Sequence, residues 1–208
     1  MEVLTNASLA RAVKSLIRRD PDLRAIYQNY GLPPLWQREP GFATLVHIIL
    51  EQQVSLASAR AAFEKLRSAL GSVTPRKLLT LDDEQMKAVG FSRQKAGYAQ
   101  HLAQEIVSRR FSPEALEDMP DDEARAALVQ LKGIGIWTAD CYLLMVLRRP
   151  DVWPHGDLAL AAAAQSVKRL PARPSYDALD AMAEQWRPHR AAAARLLWHH
   201  YLSERARK

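Results

Sequence analysis

The stretch LKGIGIWTADC at 131–141 sets Gly133 and Gly135 around a single apolar residue, Ile134, between two segments of helical pattern. Glycine reaches backbone angles that residues with a Cβ avoid, so this spacing predicts two helices joined through a tight hairpin at 132–136. At such a hairpin the backbone N–H groups and the start of the second helix point outward, which suits a phosphate oxygen. Lys132 stands beside the turn and can add a charge to the same phosphate, or be no more than a solvated lysine. A plain turn between two packed helices would use the same glycines. About twenty residues further on, Asp157 follows Gly156 and precedes LALAAAAQSVKRL. It reads as the first residue of a helix, where the macrodipole and unbonded N–H groups favour an ionised carboxylate. As far as spacing goes, Asp157 can be an N-cap, a catalytic carboxylate, or both.

Other reactive types are sparse. Cys141 is the only cysteine, which excludes an intramolecular disulfide, a four-cysteine zinc site and a cysteine-ligated iron–sulfur cluster. The six histidines, at 47, 101, 155, 189, 199 and 200, show no H-E-x-x-H or similar ligand spacing, so no catalytic metal is implied. Trp137 offers a flat π-surface just past the hairpin, although a tryptophan in a helix is also ordinary core.

The elements that must position these groups are helical. An apolar period close to 3.6 runs through LARAVKSLIRR, FATLVHIILEQ, ASARAAFEKLRSAL, RQKAGYAQHLAQEIVSRRF and DEARAALVQL, and no alternating strand pattern survives. Pro and Gly clusters at 31–41, 71–75, 112–122, 148–157 and 170–175 punctuate it. The expectation is an all-α chain of eight to ten short helices. With 208 residues the chain can bury a proper core, and 29 Lys+Arg against 23 Asp+Glu give a net charge of +6 that favours a polyanionic partner. The opening MEVLTNASLARAVKSLIRRD lacks the apolar core of a signal peptide, and no run approaches the roughly 18 apolar residues of a membrane span. A cytoplasmic location follows as an expectation.

LKGIGIWTADCYLL followed by HGDLAL resembles the helix-hairpin-helix, Gly/Pro-rich loop and aspartate signature of base-excision DNA glycosylases, specifically the DNA-3-methyladenine glycosylase II branch. FATLVHIILEQQVSLASARAAFEKL, VGFSRQKAGYAQHLAQEI and WRPHRAAAARLLWHHYL are similar to further blocks of that branch, so the resemblance runs from about residue 8 to 203. It implies two helical subdomains with a DNA- and base-binding cleft between them: residues 42–149 carrying the hairpin, and residues 1–41 plus 150–208 carrying the catalytic aspartate. Larger bacterial members carry an N-terminal β-domain, for which the roughly 40 residues before FATLVHII leave no room; compact members are built without it.

The resemblance assigns roles residue by residue. Asp157 matches the catalytic aspartate, whose carboxylate would stabilise positive charge on the deoxyribose as the N-glycosidic bond breaks or orient the attacking water. Lyase-type members carry a lysine where this chain has Trp137, so a monofunctional enzyme that leaves an abasic site uncut is implied. The base pocket is expected to draw on Trp137, Cys141, His200 and Tyr201, with His200 standing where better-known members have an aromatic ring; Trp36, in the loop GLPPLWQRE, either walls that pocket or plugs the helical bundle. Lys132, Gly133, Ile134 and Gly135 would hold the DNA backbone, and Gln52 and Gln53 would fill the gap left by the extruded nucleotide. No cofactor is implied beyond a monovalent cation held by hairpin carbonyls. The implied partner is double-stranded DNA containing damaged bases, bound by a monomer associated with the nucleoid. Two rivals stay open: a non-catalytic helix-hairpin-helix DNA-binding protein, and a same-fold glycosylase for uracil, a mismatched adenine or another damaged base. A pure binding module has no reason to place a carboxylate such as Asp157 near the phosphates, which it would repel.

Overall fold

A computed structural model describes residues 3–207 and contains no β-strand among them. Twelve α-helices follow in chain order among the described residues: α1 Asn6–Arg19, α2 Pro21–Tyr30, α3 Phe42–Glu51, α4 Leu56–Leu70, α5 Pro75–Leu78, α6 Asp83–Ala88, α7 Arg93–Val107, α8 Asp121–Val129, α9 Ile136–Met145, α10 Leu158–Val167, α11 Tyr176–Ala183 and α12 Arg190–Ala206. Short 3₁₀ turns occupy Glu114–Glu117 and Glu184–Trp186. The count exceeds the eight to ten expected because α5 and α6 span only four and six residues. An apolar period of 3.6 needs several turns before it shows in a sequence. No helix among the described residues is long and apolar enough to cross a membrane.

Helix starts follow local chemistry. Thr5 and Ser8 form a reciprocal capping box at α1, and Asp20 Oδ1 accepts from the backbone N–H groups of Asp22 and Leu23 ahead of Pro21 in α2. Ser55, Ser92 and Ser175 cap α4, α7 and α11 in the same way. Each such cap satisfies an N–H that the helix itself cannot, worth about 1 kcal/mol.

The chain divides into two compact units. One is Arg38–Tyr142 and the other joins the segments up to Gln37 and from Leu143 onward. In the first, α3 packs on α4 and α7 around Leu45, Val46, Ile48, Ile49, Ala99 and Leu102, all essentially inaccessible to solvent. In the second, α12 packs on α10 and α2, and the run Ala191–Ala194 removes side-chain bulk so that neighbouring backbones approach closely. Residues 143–149 pack with this second unit. Leu4 N donates to Arg148 O at 2.8 Å and the guanidinium of Arg195 to Leu144 O at 2.7 Å, so the division falls within α9, between Tyr142 and Leu143.

Candidate active site

The hairpin between α8 and α9 is built as its glycine spacing predicts, with one correction. Gly133 has φ +85°, in the left-handed region, and a Cβ there would lie 2.1 Å from Cγ of Tyr98 on α7. Only glycine lets the Tyr98 ring lie against the turn. Gly135 has no positive φ, and a Cβ there would meet nothing within 4 Å. The expectation that both glycines take angles forbidden to other residues therefore holds for Gly133 alone. Ile134 is buried and donates its N–H to Leu131 O at 3.0 Å, so it plugs the turn into the core, while Lys132 and Gly135 face solvent.

Two side chains brace this turn. Gln52, at the C-terminal end of α3, donates Nε2 to Gly133 O at 2.9 Å and to Thr138 Oγ1 at 3.1 Å. The Arg125 guanidinium on α8 reaches Asp140 Oδ1 on α9 at 2.7 Å, clasping the two helices. Gln52 and Gln53 thus separate in kind: Gln52 is tied to the hairpin, whereas Gln53 is exposed with φ +57°. α9 begins at Ile136, which places the positive end of its dipole at the glycine turn. Trp137 is half-buried in the first turn of α9 and Cys141 is buried further along it.

Asp157 lies in the other unit. Gly156 turns the chain with φ +79° and Asp157 caps α10, its Oδ1 accepting from Leu160 N at 2.8 Å. The same oxygen accepts from the indole Nε1 of Trp198 on α12 at 3.3 Å. The carboxylate is 5% exposed, which sharpens its electrostatic reach because little water screens it. Trp36 stands edge-on to Trp198 with ring centroids 6.4 Å apart, and edge-on to His199 at 6.3 Å. Its backbone is held at φ +46°, and the preceding carbonyl, Leu35 O, accepts from Arg195 Nε at 3.0 Å. Arg195 is fully buried and donates to three backbone carbonyls, those of Leu35, Ala191 and Leu144; burial pushes its pKa down to about 10.

Trp36, Trp198 and Asp157 therefore form one aromatic–carboxylate cluster. His200 and Tyr201 sit elsewhere. His200 Nε2 bonds Ser166 Oγ at 3.1 Å, and Ser166 lies nine residues along α10 from Asp157, about 13 Å at the helical rise. Tyr201 accepts from Arg205 Nη1 and lies under its guanidinium. The base pocket expected to include His200 and Tyr201 is thus not where Asp157 meets an aromatic side chain. Trp198, two residues earlier, touches the carboxylate, and the only signal in the sequence was its place in an otherwise apolar helical stripe. Among the described residues no group of three or more His, Cys, Asp or Glu could hold a metal ion.

An all-helical chain that joins a glycine hairpin to a capped, buried aspartate on a Gly/Pro loop has the architecture of a base-excision repair protein. Residues 46–189 match the HhH-GPD superfamily of base excision DNA repair proteins, and the chain belongs to that family. It is 31% identical over 174 residues to DNA-3-methyladenine glycosylase 1 of Schizosaccharomyces pombe, covering 82% of this chain and 76% of that protein. Identity to YfjP of Bacillus subtilis is 27% over 184 residues, covering 85% of this chain and 64% of that protein, so this chain spans a little under two thirds of that relative. In three dimensions it is similar to the S. pombe 3-methyladenine DNA glycosylase Mag1 in complex with abasic DNA. That match has a TM-score of 0.81 and 27% identity, and covers 90% of this chain and 95% of Mag1.

Proposed function

We propose that this protein is a monofunctional DNA glycosylase that releases alkylated purines of the 3-methyladenine type from duplex DNA and leaves an abasic site. The observation that carries this reading is the buried carboxylate of Asp157, fixed by a helix N-terminus and by Trp198. As the bond from C1′ to the base nitrogen breaks, its electron pair leaves with the base and positive charge grows on the sugar. A preformed carboxylate stabilises that charge without reorganising at the moment of reaction. Water then bonds C1′ and loses its proton. An alkylated purine that carries a positive ring leaves as a neutral base, so no strong general acid is required, and none is needed from the residues around Asp157.

The hairpin would hold the DNA backbone through N–H groups within residues 132–136 other than that of Ile134, which is given to Leu131 O, aided by Lys132 and a net charge of +6. Gln53, exposed and in a left-handed turn, suits the gap left by an extruded nucleotide better than Gln52, whose amide is engaged by the hairpin. A monovalent cation at hairpin carbonyls is compatible with an all-oxygen donor set, in which Gly133 O already accepts from Gln52. Trp36 beside Trp198 supplies aromatic surface near Asp157, and electron-poor alkylated bases stack well on such faces. A base-release assay across duplexes carrying single modified bases tests the reading. Release of alkylpurines with intact strands supports it, and inactivity on every lesion overturns it.

A further inference from the structure

The segment that delivers Asp157 is held from one side by a carboxylate with no part in the chemistry above. Asp180, on α11, receives two donors from the five residues that end at Asp157. Trp153 Nε1 donates to Oδ1 at 3.0 Å and His155 Nδ1 meets Oδ2 at 2.6 Å. A carboxylate accepts only, so His155 carries its proton on Nδ1 and donates it. Each oxygen of Asp180 is matched to one donor, and the residue between the donors is Pro154, whose ring fixes its own φ. Trp153 is buried against Trp186, with ring centroids 5.4 Å apart, which anchors the far end of the segment. The swivel left before the carboxylate is Gly156, at φ +79° and with nothing within 4 Å of where a Cβ would stand.

We propose that Asp180 is a positioning residue for Asp157: by gripping Trp153 and His155 it fixes the loop so that Gly156 delivers the Asp157 carboxylate in one orientation, on Trp198 and the first turn of α10. This rests on the glycosylase reading for its effect on rate, and on geometry alone for its effect on the loop. Asp180 and His155 are both about two-fifths exposed, so the pair contributes little to global stability. Its value lies in orientation, since a displacement of about 1 Å in a reacting group can cost up to a hundredfold in rate.

The test compares Asp180→Asn and Asp180→Ala with the unaltered protein. Asn keeps an acceptor for Trp153 and loses the carboxylate that His155 grips; Ala loses both. Single-turnover base release should fall about tenfold in the Ala variant and less in the Asn variant, while affinity for abasic-site duplex stays within about twofold, a kcat effect without a binding effect. In parallel, amide hydrogen exchange at Leu160, the N–H capped by Asp157, should accelerate in Asp180→Ala while the later turns of α10 keep their protection. His155→Ala, which removes one arm only, should give an intermediate result in both measurements. Unchanged release, or a loss of release matched by an equal loss of DNA affinity, would overturn the proposal. Should the unaltered protein release no base from any duplex, the glycosylase reading fails by itself, and Leu160 exchange still decides the clamp: unchanged protection in Asp180→Ala overturns it.

Discussion

Trp198 donates its indole N–H to Asp157 at 3.3 Å, on the same oxygen that caps α10. The helix cap and the indole thus hold the same carboxylate oxygen, and capping is compatible with the catalytic role proposed for Asp157. Trp198→Phe keeps the ring against Trp36 and removes only the donor. Loss of a hydrogen bond to a charged group should lower stability by about 1 to 2 kcal/mol. Base release should fall by about tenfold as the carboxylate loses one of the donors that orient it. Single-turnover kinetics with thermal melting checks both; an unaltered rate would mean that Trp198 only packs.

The hairpin glycines should respond unequally. Gly133→Ala places a methyl group against Tyr98 and forces a Cβ residue to φ +85°, so destabilisation of about 2 kcal/mol or more is expected. Gly135→Ala meets open space and should change stability by no more than about 0.5 kcal/mol. A bulkier Gly135→Val should weaken binding to abasic-site duplex while helical content and melting temperature hold, since the side chain would stand where a phosphate approaches. Equal melting losses for the two alanine variants would contradict this geometry.

Acidification should destabilise the fold well above the range where carboxylates titrate. Burial lowers the pKa of His47, His199 and His200; for His47 the effect of burial outweighs the raising influence of Glu51, and for His200 that of Glu204. Unfolded histidines titrate near 6.5, so as pH falls through that value the unfolded chain binds protons that the folded chain refuses, and stability falls until the lowered folded values are reached. The melting temperature at about pH 5.5 should therefore lie below that at about pH 7.5. His47→Gln, which removes a ring stacked on Phe63 at 4.4 Å, should lower the melting temperature at both pH values and shrink the difference between them. A melting temperature that rises on acidification would contradict the assignment.

The proposed monofunctional activity rests on Trp137 replacing the amine that the resemblance places at this position in lyase-type members. Borohydride added during reaction with damaged duplex should trap no covalent adduct, and strand breaks should appear only after alkali or an abasic-site nuclease. A trapped adduct would identify another nucleophilic amine and end the monofunctional reading.

The helical architecture, the hairpin and the capped aspartate were legible because each rests on local rules: apolar period, glycine between helices, and Asp ahead of an alanine-rich run. What escaped depends on contacts between distant segments. Nothing near Gly133 in the chain announces Tyr98, which makes that glycine obligatory while leaving Gly135 unconstrained. Gln52 looks like a solvated polar residue until the hairpin carbonyl is placed beside it. Trp198 and Arg195 lie on one helix with four alanines, and only the fold separates the carboxylate's partner from the buried cation that holds Leu35 ahead of Trp36. Asp180 lies 23 positions beyond Asp157, on a helix with no motif of its own.

The most direct measurement is single-turnover base release by Asp157→Asn on a duplex carrying one alkylated purine. Asn retains the size and capping ability of Asp, so stability should change by about 1 kcal/mol or less. The negative charge that the sugar cation requires is gone, and release should drop by about a hundredfold or more, the range found when one electrostatic stabiliser is removed. Affinity for abasic-site duplex should hold or rise, because a carboxylate that repels phosphates has been neutralised. A variant that releases the base at the unaltered rate would reduce Asp157 to a helix cap and contradict the account.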